Sequence, residues 1–468
     1  MNHPWAPAGG LAVLLVLGAG SGALAEQSTV SDQQTVAVTV YNDNLGLIRE
    51  VRGLQLAHGR RELEYADVAS GIDPTSVSLR SLTAPSDLGV LEQNYEFDLI
   101  TPSRLLDKFV GLPIELQQGD SLVQATLLSN QDGTVLKIGD QVYPSAPGNV
   151  VLPRLPANLA AHPTLKWLLE NDHAAGPQKT EVSYLTSGLS WHANYVLVSS
   201  ADGRRCDVNG WVTLDNQSGA TYRRATLTLV AGDVNRVRDR EEDEEREKVH
   251  YAKKAALAAP QFAERALFEY HSYLLNRPTT LLDRQTKQLS LLSAARVPSE
   301  TVYRFEDEEL SVWSDDTERH QGKVTVYLTL KNSHANHLGI PLPKGTVRVY
   351  QADADRHLQF IGEDAIDHTP RDEWLRLKLG QAFDLVAERR QTAFRDFGPL
   401  YETSYEVTLR NHKDAPVRIV CAEPLSGEWT ITRSSHPFRK IDATNVEFTV
   451  PVAANSESKL TFTVHDRE

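Results

Sequence analysis

Methionine occurs once in the 468 residues, as the initiator, and cysteine twice, as Cys206 and Cys421. The chain therefore offers no methionine ligands for copper beyond residue 1 and no flexible Met-lined surface of the kind promiscuous binders use. Two cysteines exclude a disulfide framework, and no CxxC element is present. Cys421 continues the alternation Val417, Ile419, Cys421, the buried face of a strand, so two separate buried thiols are favoured over a Cys206–Cys421 bridge. Basic residues are also short. Lys and Arg total 48 against 62 Asp and Glu, a formal charge of -14. With no basic block, nucleic acid and anionic membrane surfaces are poor partners. Beyond residue 25 no stretch reaches the roughly 18 apolar residues of a membrane span. There is no GxSxG, no GxxxxGK[ST] and no HExxH, and lone serines and histidines are too common to make a triad. Alternation of strands with helices and a repeat of fixed period are missing too, which excludes Rossmann, TIM-barrel and propeller architectures.

What is present begins with an apolar run, Gly9 to Leu24, closing on Ala23-Leu24-Ala25 before Glu26. A short apolar core followed by small residues is a secretory signal, expected to be cut after Ala25. Glu26 in place of a cysteine speaks against a lipid anchor, and no twin-arginine pair precedes the run. The mature chain is expected in the periplasm or outside the cell, with no transmembrane segment.

The rest is patterned for strands. Val36, Val38 and Val40 alternate with Ala37, Thr39 and Tyr41, and similar pairs recur around Leu63/Tyr65 and Val77/Leu79, the period-two signal of half-buried strands. Residues 36–100 read as an N-terminal β domain. Thr101-Pro102 offers an N-cap and a proline at the first helical position, with Gly111 beyond. That short helix and the hairpin signals at Gly119-Asp120, Asp132-Gly133 and Gly139-Asp140 suggest a small SH3-like barrel over residues 101–155. A further β region covers residues 156–235. A charged, alanine-rich insertion follows over 236–262, helical or disordered, in which Glu242/Arg246 and Glu244/Lys248 have i,i+4 spacing. Clean alternation at Val324, Val326, Leu328 and Leu330, repeated to Leu460, Phe462 and Val464, predicts a C-terminal two-sheet sandwich over 263–468. The fold class expected is all-β, several antiparallel β domains with a barrel-like insert. Asn216-Gln217-Ser218 is a chance sequon.

Two sets of residues look familiar. Val38-Thr39-Val40-Tyr41-Asn42-Asp43-Asn44 through Ile72-Asp73-Pro74-Thr75-Ser76-Val77 resembles the N-terminal domain of mucoidy-inhibitor-A-like bacterial proteins. Gly188-Leu189-Ser190-Trp191-His192-Ala193-Asn194-Tyr195, Leu379-Gly380 and Asn411-His412 resemble landmarks of domain-of-unknown-function family 4139. The resemblance covers most of the chain beyond residue 25 and implies an exported, β-rich envelope protein. It brings no established reaction, so no catalytic residue is carried over. Family members often carry a coiled coil where this chain has the helix and small β insert, so partner contacts made through a coiled coil do not transfer.

The stretch Gly362 to Glu373 has the most chemical look. Asp364, His368 and Glu373 could ligate a metal or form an acid/base pair. The spacing lacks a metal frame, however, and the same residues suit a polar loop between strands at 358–361 and 374–379, which is the favoured reading. Trp191, Tyr195, Trp211 and Tyr222 could form an aromatic platform for sugars or peptides, although core packing is favoured for them. The function expected is that of an exported, non-catalytic envelope protein that binds or scaffolds a protein or polysaccharide partner, with no cofactor. The alternatives are a carbohydrate-binding factor, connected by the resemblance to exopolysaccharide, and then a metal-dependent hydrolase.

Overall fold

A computed structural model of the protein describes residues 26–96, 101–154, 162–232, 261–306, 319–353, 355–425 and 427–467. The apolar run over residues 9–24, expected to be a secretory signal, and the charged stretch 236–248 lie outside the described residues. The fold is all-β, with one short α-helix and three single-turn 3-10 helices among the described residues. None of these helices is long and apolar enough to cross a membrane. The sheets are largely antiparallel, as expected, with some parallel pairs. Leu189–Ser199 runs parallel to Gly345–Ala352, Gln33–Tyr41 to Tyr222–Ala231, and Gln285–Glu306 to Val417–Pro424. Alternation in a sequence reports which face is buried and says nothing of the neighbouring strand's direction.

The chain divides into two compact units that do not follow chain order. One comprises Met1–Thr35 with Arg49–Tyr184, the other Val36–Ile48 with Leu185–Glu468. In the first, Glu26–Ser28, Gly59–Ala66, Thr164–Asn171 and Leu88–Glu96 lie side by side in that order. Tyr65 and Trp167 meet edge to face at 5.6 Å in its core. Beside them Arg52 is 0% exposed. Its Nε and Nη2 donate to the two Glu50 oxygens, and its guanidinium lies 3.5 Å from the Tyr65 ring centre.

Within this unit the helix forms where predicted. Thr101 Oγ1 accepts from the Arg104 N–H, Pro102 opens the helix, and it ends at Asp107, so that Phe109 turns into the core of the small β insert. The insert is not a barrel. Its five strands order as Gln141–Tyr143, Val135–Ile138, Ser121–Ser129, Pro113–Gln118, Asn149–Val151 in one open antiparallel sheet. The two outer strands have three residues each and do not pair with each other, and barrel closure needs that pairing.

The second unit is built on two very long strands. The first half of Gln285–Glu306 pairs with Arg205–Asn216 and its second half with Arg319–Lys331. Trp374–Asp396 likewise pairs first with Arg319–Lys331 and then with Leu400–Asn411. Each therefore joins neighbours that do not pair with each other within one thirteen-stranded sheet. The predicted C-terminal sandwich is present. Leu400–Asn411 and Ser456–Arg467 form one sheet, Val417–Pro424 and Asn445–Val452 the other, and Tyr405, Val407, Cys421, Phe448 and Phe462 share the core between them.

One local motif recurs four times. Leu169-Glu170-Asn171, Leu214-Asp215-Asn216, Leu330-Lys331-Asn332 and Leu409-Arg410-Asn411 each close a strand with a buried Leu, a charged residue and a buried Asn. The Asn216 amide donates to the carbonyls of Ala220 and Leu282, and Asn411 does the same to Ala415 and Ala453. Asn332 donates to Ile340 and Pro370, and Asn171 to Ala57. Each Oδ1 in turn accepts a backbone N–H, from His173, Ser218, Gly339 and Lys413. The chain leaves the sheet at these points, and the side chain replaces the ladder it abandons. The sequon asparagine is thus a buried structural residue.

Asn411→Ala should take the partner from the Ala415 and Ala453 carbonyls and from the Lys413 N–H and cost about 1–2 kcal/mol. Urea unfolding of the purified protein measures this; a change below about 0.5 kcal/mol, as at a surface site, would sink the corner role.

Asp466 is buried at 2% exposure, and neither carboxylate oxygen has a hydrogen-bond partner. Burial pushes its carboxyl above the ordinary aspartate value. A carboxyl raised in the folded state adds stability below its unfolded pKa and loses it as pH rises through the folded value. Asp466→Asn should therefore raise the unfolding midpoint at neutral pH, and the gain should shrink towards pH about 3. A variant less stable than wild type at neutral pH would contradict this.

Candidate functional site

The Gly362–Glu373 stretch is strand up to Ile366, further than the predicted loop. Leu358–Ile366 is the terminal strand of its sheet and pairs only with Gly345–Ala352 among the described residues. Asp364 lies on it, and its carboxylate accepts the N–H groups of Ala365 at 2.9 Å and Lys378 at 2.7 Å. It thereby ties this strand to Trp374–Asp396, where a Cβ on Gly362 would come within 2.4 Å of the Leu379 carbonyl oxygen. Only glycine permits that approach. His368 is half-buried, and its Nδ1 accepts the Lys344 N–H at 3.1 Å. Glu373 is exposed, and its contribution is a main-chain carbonyl that accepts from the Asn332 N–H. The three residues have three separate structural jobs. Among the described residues no three His, Cys, Asp or Glu side chains come together as metal ligands.

The aromatic candidates divide between faces. Trp191 and Tyr195 are buried on one face of Leu189–Ser199. Trp191 Nε1 donates to the Val230 carbonyl at 3.2 Å, and the Tyr195 hydroxyl to Pro343 at 2.9 Å. Burial holds the Tyr195 phenol well above its usual value. Trp211 stands opposite Asn194 on the neighbouring strand and is half-buried. Residues directly opposite share a face, so Trp211 points away from Trp191 and Tyr195. Tyr222 is buried, its hydroxyl on Ser218. The four do not form one strip.

Two features escaped the sequence reading. The first is a set of exposed large apolar side chains: Phe360 at 55%, Trp374 at 66% and Phe383 at 97%. Phe383 sits in an irregular part of Trp374–Asp396, where the register with Arg319–Lys331 shifts. The second is a cavity of about 170 Å³ in the second unit. Phe262, Tyr273, Leu291, Leu292 and Leu338 give it an apolar wall, and Glu264, Ser293 and His337 add polar groups. Phe262, Leu292 and Leu338 each keep 7–8% exposure. The lining comes from three distant segments, one of them the 334–340 loop that the Asn332 amide holds, so no periodicity announces it. Glu264 Oε1 lies 2.9 Å from His271 Nδ1, the Ser293 hydroxyl donates to Asn209 Oδ1, and the Tyr273 hydroxyl donates to the Pro341 carbonyl. Ser293 has no base as its acceptor. This is the equipment of a binding pocket, apolar with a few fixed polar groups.

Both cysteines are free and buried. Burial pushes the Cys206 thiol up to about 11 and Cys421 well above its usual value, so neither is a ready nucleophile. No protein-family model matches the chain, and no curated protein matches it in sequence.

With Asp364 and His368 occupied by backbone N–H groups, the purified protein should carry no stoichiometric Zn, Mn or Fe, and His368→Ala should leave metal content at background. Elemental analysis decides; one equivalent of metal, lost in His368→Ala, would restore a metal centre.

Proposed function

We propose that the protein is an exported, non-catalytic binding or scaffolding module of the bacterial cell envelope. The observation that carries this reading is the exposed apolar surface on and beside a terminal strand: Leu358 and Phe360 on Leu358–Ile366, and Trp374 at the start of the next strand. Solvent-exposed aromatic residues on a rigid sheet are the usual anchors of an interface. The N-terminal apolar run ending in Ala23-Leu24-Ala25 and the resemblance to mucoidy-inhibitor-A-like and family 4139 proteins support the envelope as the place of action.

A second reading, a carbohydrate-binding factor linked to exopolysaccharide, has its own support. Tyr350 and Phe360 meet edge to face at 5.7 Å on paired strands, and the Trp374 ring is open to solvent. Aromatic rings held this way stack on sugar faces as well as on peptides.

Expression in an exporting bacterial host tests both readings. The chain should appear in the periplasmic or extracellular fraction with Glu26 as its first residue by mass spectrometry. Retention on envelope material should fall about tenfold in Phe360→Ser/Trp374→Ser, a loss typical of an aromatic anchor. Retention on isolated polysaccharide would select the second reading. An intact Met1 chain in the cytoplasm, or retention untouched by the double variant, would overturn the proposal.

A further inference from the structure

The second unit contains one β module twice. Arg205–Asn216, Tyr222–Ala231, Thr279–Leu281 and the first part of Gln285–Glu306 are repeated by Leu400–Asn411, Val417–Pro424, Asn445–Val452 and Ser456–Arg467. The corner asparagines Asn216 and Asn411 reach the fourth residue onward, Ala220 and Ala415. They also reach the residue just beyond the third strand, Leu282 and Ala453. Two residues further on, Arg284 and Asn455 both take the left-handed conformation, with φ of 55° and 50°. Strand registers agree as well. Val212 faces Leu289 as Val407 faces Leu460, and Trp211 faces Ser290 as Glu406 faces Thr461. The copies differ in the connection between second and third strands, longer in the first and containing residues 233–260.

At the next step along the strands they part. The second copy sets Tyr405 against Phe462, with rings stacked at 5.3 Å and Phe462 a further 4.8 Å from Phe448. The first copy has Gly210 in place of Tyr405 and Leu291 in place of Phe462, with a register shift between Gly210 and Trp211. A Cβ on Gly210 would meet Leu292 Cγ at 2.9 Å. The Tyr195 ring, within 3.2 Å of that Cβ position, covers the Gly210 side in the first copy, and on the Leu291 side, where the second copy has Phe462, lies the cavity of about 170 Å³ lined by Leu291 and Leu292. Apolar cavities of about 150 Å³ stay dry and accept benzene.

We propose that this cavity binds a small ligand bearing one aromatic ring, or an aliphatic group of that size, and that the Glu264 carboxylate in its wall selects a cationic amine over an anion. A ring replaces the contacts that Phe462 supplies in the other copy, and Glu264 supplies the one carboxylate in the lining. The pocket is one form of the binding role proposed above and rests on it. Its test uses purified protein and simple probes, so its outcome is separate from localisation and from retention on envelope material.

Benzylamine, benzyl alcohol and benzoate, titrated by NMR in a buffer alkaline enough to keep histidine neutral, provide the test. Benzylamine should bind saturably and about tenfold more tightly than benzoate, moving the signals of Leu291, Leu292 and Leu338. Leu291→Phe, which copies the second module, should abolish binding of all three probes and leave Asn411 signals in place. Glu264→Gln removes the charge of a half-buried wall residue, keeps a side-chain oxygen beside His271, and should remove the preference for amine over alcohol even if Leu291→Phe fails to fold. Lack of saturable binding by any probe, binding that survives in a folded Leu291→Phe, or an amine preference unchanged in Glu264→Gln would each overturn the proposal.

Discussion

Where a strand of a packed sheet ends and the chain turns away, backbone groups lose their ladder partners, and here the side chain of a buried asparagine takes them up. Asn216, Asn332 and Asn411 each span a carbonyl of their own loop and one from a neighbouring segment, while Oδ1 holds a backbone N–H. The amides themselves are buried, and leaving a buried polar group unpaired costs about 1–3 kcal/mol, so asparagine and loop hold each other in place. The corners fix where the chain leaves one sheet and joins the next. At Asn332 the constraint also reaches the cavity, since the loop it holds contributes His337 and Leu338.

Charge inside the fold is handled in two ways. Arg52 in the first unit and Arg389 in the second are buried against Glu50 and Glu423. Such pairs add little net stability over apolar replacements, but losing one partner strands the other charge, at a cost of about 3–5 kcal/mol. Glu50 and Arg52 lie on one strand, whereas Arg389 and Glu423 come from two, and in either case a strand shifted by one residue would turn the charge to the other face. Asp466 has no such partner, and its carboxyl is raised instead. The two responses follow from whether an opposite charge is within reach.

Much of the fold was legible in the chain. Period-two alternation located most strands, the Thr101-Pro102 pair placed the only α-helix among the described residues, and Val417, Ile419 and Cys421 did line a core. The corner motif was written in the sequence four times as Leu, a charged residue and Asn. It acquires meaning only with the carbonyls those amides reach, which lie up to 114 residues away. The repeated module was hidden because the connection in its first copy is longer, so the repeat has no fixed period. Asp364, His368 and Glu373 look like chemistry in a line of text because their charges are close in sequence. In space each faces a different backbone group.

Burial preference and turn chemistry act over a few residues, so the sequence by itself determined an all-β chain, the faces its strands bury, and where many of them turn. Which strands become neighbours, and in which direction, depends on contacts between residues far apart in the chain. The tertiary structure therefore decided the parallel pairings, the open sheet in place of a barrel, and the change of neighbours along two long strands. It also decided the cavity. A void is defined by atoms that are missing where three separate segments meet, and no single stretch of sequence records that.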